Sequence, residues 1–256
     1  DLHQSISAFL LNTCLGCGER RYIPPSVQGA LKVAIDDALD GPAPSITLDQ
    51  YYEQLDTPAL DEDVLRKLGG YLRRFDSNNL PIVIAHHNVL PQLEPRLAPY
   101  SELVNAGQLR RLMTDLDRPI VYLHGHIHDD PVEIISIPNK KKSKLISISA
   151  PSLVQGFNEI SVYLARNGTP CGLRITPFRY RGAAGVVQDT PIDLPLVDRS
   201  HKLTNKLAYQ IIEFIATRRQ VFWNELYEEM QSKGDASEEE VSSAVLELYF
   251  SSYLSV

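Results

Sequence analysis

Over roughly its first half the chain alternates short, branched, apolar runs with amphipathic stripes, a pattern that admits little besides helices packed on a sheet. The apolar runs are "AFLLNTC" (8–14), "PIVIAHH" (81–87) and "PIVYLHGH" (119–126), short enough and apolar enough on both faces to read as buried strands. Between them, "SVQGALKVAIDDALD" puts Val27, Leu31, Ala34, Ile35 and Leu39 on one helical stripe. "DEDVLRKLGGYLRRF" does the same with Val64, Leu65, Leu68, Leu72 and Phe75. "SELVNAGQLRRLMTDLD" follows, with Ser101 as its cap and Leu103, Leu109, Leu112 and Leu116 facing inward.

Past residue 130 the texture changes to strands joined by turns: "VEIISIPNKKKSKLISISAPSL", "NEISVYLARNG" and "CGLRITPFRYRG". The lysines at 140, 141, 142 and 144 fall around an exposed hairpin tip, which reads as a solvated turn more readily than as a phosphate contact. "GVVQDTPIDLPLVD" (185–198) holds two prolines and no period, and reads as a linker or a strand draped over the surface. Three helical segments close the chain, the last opening on Ser237 with Glu240 three residues on, a capping box. The sequence thus predicts an α/β domain over 1–184, a linker over 185–198 and a small helical or winged-helix module over 199–256. Residues 132–180 are expected to supply mostly antiparallel strands of a second sheet.

Composition bounds the function. The chain has 256 residues, 43% of them hydrophobic, enough for a full-sized core. Its apolar runs fall far short of the ~20 residues of a membrane span, and no signal-peptide pattern opens it, so no membrane partner and a cytoplasmic location are expected. Three cysteines argue against a disulfide framework. Cys14 and Cys17 form a C-x-x-C pair, but zinc would want a second pair and a redox motif a helix start; buried or half-buried thiols are the plainer reading. The net charge of −7 disfavours indiscriminate nucleic-acid binding without excluding a local basic groove.

Five of the seven histidines sit at the ends of two apolar runs: His86 and His87, then His124, His126 and His128. A lone histidine beside a strand is usually structural. Two strand ends carrying several imidazoles are different, because neutral imidazole is the commonest transition-metal ligand and open α/β sheets bind ligands at their carboxyl edge. Gly125 is expected to turn the backbone so that His126 and His128 converge.

On "DLH", His86 and "GHIH", the run from Phe9 to about Leu164 resembles the later half of a calcineurin-like metallophosphoesterase. That resemblance implies a two-sheet sandwich flanked by helices and a dinuclear phosphohydrolase, most simply a phosphodiesterase acting on a nucleotide or a nucleic acid. It implies two divalent transition-metal ions (Mn, Fe or Zn), with Asp1, His3, His86, His126 and His128 as ligands, and a metal-activated hydroxide as nucleophile. His87, as a catalytic group, and Asn88, as a substrate contact, lie just past the ligand strand. His124 reads as core or as support for a ligand, and Asp129 and Asp130 as turn carboxylates able to orient ligand imidazoles.

The chain departs from the family pattern as well. The G-D and G-N-H motifs that precede the strand resembling "FLLNTC" are absent, and only Gln4 to Ala8 separate "DLH" from it, too few for a βα unit of ~10 or more residues. Residues lost before Asp1 and between about His3 and Asn12 are therefore expected. The alternative is a catalytically degenerate binding or regulatory subunit, or a half-site completed by a partner. The tail holds more carboxylates than basic side chains, so docking on the main domain, on a partner protein or on a second copy is expected of it before nucleic-acid reading. The aromatics near Trp223 are expected to be covered by protein.

Overall fold

The computed structural model describes residues 5–16, 58–75, 78–90, 103–126, 128, 132–138, 140–197, 203, 205–216, 218, 220–234 and 236–254, with scattered helical positions between 25 and 37. Asp1, His3, Cys17, Ser101, Asp129 and Asp130 lie outside the described residues, as do Val27, Leu31, Ile35 and Leu39 of the first expected stripe. Among the described residues no helix is long and apolar enough to cross a membrane.

Among the described residues nine strands form two sheets, accompanied by five α-helices described from end to end. The first sheet has the order β1 (Ile6–Leu10), β2 (Leu80–Ile84), β3 (Pro119–His124), β5 (Lys140–Ser149) and β4 (Val132–Ile137). β1, β2, β3 and β5 are mutually parallel and β4 is an antiparallel edge. The parallel strands read as apolar runs because both their faces are covered. One face takes α1 (Glu62–Arg74) and α2 (Ala106–Thr114): Leu65, Leu68 and Leu72 of α1 and Leu109 and Met113 of α2 are buried with Val83, Ile120, Tyr122 and Leu145. The other face, with Leu80, Val121, Ile146 and Ile148, meets Leu173, Ile175, Leu194 and Leu196 of the second sheet.

β1 is shorter and more exposed than its apolar sequence suggests. It ends at Leu10, its burial alternates, and Ile6 and Leu10 are exposed, because it is the edge of the sheet. Its ladder with β2 runs unbroken from Ile6 to Leu10, so the expected loss of residues finds no interruption over that stretch; the earlier part of the span lies outside the described residues. Thr13–Gly16 then forms a 3₁₀ turn carrying Cys14, which is exposed rather than buried; Cys171 is the buried thiol, pushed up to about 12 by burial.

Two further expectations are corrected. Residues 132–149 do not belong to the second sheet: β4 and β5 extend the first, since an inward-facing run "LISIS" can lie parallel to β3 once the β4–β5 hairpin reverses the chain. Accordingly the lysines begin β5 rather than crowd a tip, and Lys140 Nζ lies 2.9 Å from an Asp115 carboxylate oxygen. The second sheet consists of β6 (Gly156–Leu164), β7 (Pro170–Tyr180), β8 (Val186–Gln188) and β9 (Ile192–Pro195). The segment 185–198 is therefore not a linker: β8 and β9 both pair with β7. Proline is tolerated there because β9 is an edge strand, whose outward N–H groups have no ladder to feed. Asp193 fixes the strand through a bidentate pair with Arg174, at 2.7 and 2.8 Å. The guanidinium holds the Asp193 carboxyl below its ordinary range. The third predicted helix also starts late, at Ala106 with Asn105 as cap, and Asn105 instead clamps the Leu60 backbone through both of its amide atoms.

The tail is a three-helix unit among the described residues: α3 (Lys206–Ala216), α4 (Trp223–Gly234) and α5 (Glu238–Phe250), the last with both halves of the predicted capping box. Leu207, Ile211, Phe214, Leu226, Met230, Val241 and Leu248 make its core. It docks on the second sheet, as expected, but through α5 rather than through Trp223. Phe250 is 2% exposed and packs with Tyr163, Ala165 and Cys171, whereas Trp223 is 38% and Phe222 66% exposed. Gly172 makes this possible, since a Cβ there would collide with the Phe250 ring. Tyr249 adds a hydrogen bond from its hydroxyl to Asp193, 3.1 Å away. Replacing Phe250 with alanine should cost about 3–5 kcal/mol in urea unfolding, and Gly172→Ala should destabilise the same interface. Unchanged unfolding midpoints in both variants would contradict this docking.

Candidate metal centre

The carboxyl ends of the four parallel strands lie side by side, and backbone hydrogen bonds continue past the last strand residues. Leu11 N–H donates to Ile84 O at 2.8 Å, Ala85 N–H to Leu123 O at 2.9 Å, Gly125 N–H to His86 O at 3.1 Å and Ala150 N–H to His124 O at 2.8 Å. These bonds fix the segments carrying His86, His87 and His126 against one another, at the sheet edge where α/β folds place ligands.

Three imidazoles converge there. One ligand nitrogen from each of His86, His87 and His126 lies within 4.8 Å of the other two. His126 Nδ1 is 3.0 Å from His86 Nε2, and the three ring centroids are 4.6 to 4.9 Å apart. Nitrogens bound to one ion at about 2.1 Å stand about 3.4 Å apart in a tetrahedral site, so the His86–His126 pair is already close to that spacing and the widest pair would close by up to about 1.4 Å. The donor set, all imidazole, suits zinc or iron better than manganese, which favours oxygen donors. The group contains no carboxylate among the described residues.

Buried groups hold His87 in place. It is 1% exposed, its Nδ1 lies 2.8 Å from Thr13 Oγ1, and its backbone N–H donates to the same oxygen at 3.3 Å. A partner on one ring nitrogen fixes the orientation of the imidazole, the usual way a ligand histidine is held. From beneath, the Tyr122 hydroxyl donates to His87 O at 2.6 Å, and burial pushes that phenol up, keeping it a donor. His87 thus lies buried beside His86 and His126 in the group that could hold a metal. Asn88 is 4% exposed, its amide donating to Leu90 O.

His126 and His128 have φ of 64° and 59°. Both are in the left-handed region, where a non-glycine residue is uncommon and costs of order 1–3 kcal/mol. The turn thus falls on the histidines themselves rather than on Gly125. His128 stands outside the trio: it is exposed, and its Nδ1 lies 3.2 Å from Ala150 O. Its Cε1 and the Nδ1 of His86 both lie within 4.0 Å of where a Gly125 Cβ would be. The two rings are thus within the roughly 8 Å that ligands of a two-metal cluster can span. His124 is core, as one reading of the sequence had it: 6% exposed, with Nε2 3.1 Å from Ser147 Oγ.

Thr13 is the residue that sequence reading missed. Its only signal is a hydroxyl just past the end of β1, beside the β2 end that carries the histidines. A scan against protein-family models finds no match for the chain, and a search of curated proteins finds none either.

Burial drives the His124 imidazole from 6.5 down to about 4. The unfolded chain therefore takes up the proton first. Stability is unaffected by this group above pH ~6.5, falls as the pH drops from there towards 4, and levels off below, a total of roughly 3 kcal/mol. In chelator, the unfolding free energy of His124→Gln should lose that slope. Equal slopes in the variant and the parent would show that His124 titrates normally.

Proposed function

We propose that the protein is a metal-dependent phosphoesterase acting on a phosphodiester, with His86, His87 and His126 as its core metal donors and His128 beside them. The observation that carries this reading is the convergence of three imidazoles from two adjacent parallel strands at the carboxyl edge, with backbone strain at His126. It agrees with the resemblance carried by His86 and the "GHIH" run. Divalent ions, when bound, supply charge that polarises the phosphoryl oxygens and brings the pKa of a water towards neutrality. The chain's own contribution is positioning. Thr13 and Tyr122 keep His87 in one orientation, Gly125 N–H ties the two ligand segments together, and the Ala150 carbonyl orients His128.

A second reading has a specific basis. The donor group lacks a carboxylate among the described residues. An all-imidazole group favours a scaffold that binds metal, or a metal-dependent partner, without hydrolysing phosphoesters.

Hydrolysis of bis-p-nitrophenyl phosphate after addition of Mn, Fe or Zn, run alongside metal analysis, separates the two. The enzyme reading predicts metal-dependent turnover that His126→Ala lowers by roughly 100-fold or more together with its bound metal, the far-UV spectrum being unchanged. Bound metal without turnover would move the protein to the scaffold class. Neither metal nor turnover with any of the three ions would overturn the site.

A further inference from the structure

Among the described residues, β1, β4, β6, β8 and β9 each leave one side without a neighbouring strand. Four of these edges are blunted. β1 has five residues and β8 three, β9 follows Pro191 and ends in Pro195, and β4 carries Glu133 and a register shift between Ser136 and Ile137. Short length, proline, charge and bulges are the means by which a sheet avoids adding a further strand. β6 uses almost none of them. Its nine residues, "GFNEISVYL", span about 30 Å and hold no proline, lysine or arginine. Glu159 is its one charge, and its register with β7 shifts only at the last pair, between Tyr163 and Leu164.

The ladder shows what the open side presents. Tyr180 N–H donates to Gln155 O at 3.0 Å, and the pairing continues from Gly156 to Leu164. Bonded residues alternate along an antiparallel strand, so Phe157, Glu159, Ser161 and Tyr163 bond to β7 while Ile160 and Val162 turn their N–H and C=O groups outward. Those outward groups have no protein partner among the described residues. The side chains of Ile160 and Val162 are only half-buried against the core between the sheets. On the outer face, Phe157 is 44% exposed although it stacks on Phe178 at 5.0 Å.

From this we infer that β6 pairs antiparallel with β6 of a second copy of the chain, joining the second sheets of two protomers across a two-fold axis at Ile160. That register uses the whole strand and is self-complementary, as a two-fold contact must be. Ile160 meets the partner's Ile160 and Val162 meets the partner's Asn158, each through backbone hydrogen bonds. On the outer face Phe157 meets the partner's Tyr163, an aromatic cross-strand pair. Glu159 meets the partner's Ser161. Ser161 is itself paired with Arg174 of β7, so behind that small side chain Glu159 approaches the partner's Arg174. The one charge on the edge is thereby set towards a cation, which is the complementarity that selects this occupant over an unrelated strand.

Sedimentation velocity of the whole chain tests this, with two variants whose changes lie on the outer face and not in the core. The parent should form a dimer with a dissociation constant in the micromolar range. Ser161→Glu sets a carboxylate opposite the partner's Glu159 twice over, while Arg174 beside it favours the folded strand; dimerisation should weaken about tenfold or more with the far-UV spectrum unchanged. Adding Glu159→Lys to Ser161→Glu makes both contacts attractive and should restore the parent's affinity to within about threefold. A parent that stays monomeric up to about 100 µM would overturn the inference and leave the edge to a strand of another protein. So would a dimer that Ser161→Glu leaves intact, which would place the contact elsewhere, or a double variant that remains as weak as Ser161→Glu.

Discussion

The parallel pairing of β1, β2, β3 and β5 is the constraint on which the rest depends. Parallel strands present their carboxyl ends on one edge, so whatever follows each strand is delivered to the same place. Here the pairing runs past the strands themselves, through Leu11, Ala85, Gly125 and Ala150. The histidines therefore meet because of backbone register, not because of attraction between them. Residues as far apart in sequence as Thr13, His87 and His126 become neighbours once that register is set. The ladder in turn depends on burial of its two faces, by α1 and α2 on one side and by the second sheet on the other.

At the edge the fold accepts local costs. Two histidines take left-handed backbone, and His87 is buried with polar partners. Neither feature helps the core pack. The 3.0 Å approach of His126 Nδ1 to His86 Nε2 is that of a hydrogen bond between two imidazoles, and a cation could take the place of its proton. Strain gathered where donors converge, while the surrounding core follows ordinary rules, is the pattern of a site and not of a packing defect.

Much of this was legible in the sequence. The stripe Leu65, Leu68, Leu72 is buried as its period demands, the Ser237–Glu240 box forms, and His86 and His126 meet as two strand ends should. What failed did so for tertiary reasons. Local pattern does not say which sheet a strand joins, so β4 and β5 were assigned to the wrong one. A proline-rich stretch looks like a linker until an edge strand and the Arg174–Asp193 pair give it a place. The tail was expected to dock through its aromatics and does so through Phe250 but not Trp223, because aromatic content marks both alike and only Gly172 opposite decides which ring is covered. The pairing of His87 with Thr13 could not be read at all, because nothing near either residue in sequence announces the other.

The central claim is that the two strand ends bring histidines together as donors to one metal centre. X-ray absorption of the zinc-loaded full-length chain reads that directly. The account predicts a nitrogen shell near 2.0–2.1 Å with the outer-shell scattering of about three imidazoles, reduced by one in His87→Ala. A shell of oxygen alone, without imidazole scattering, would contradict it.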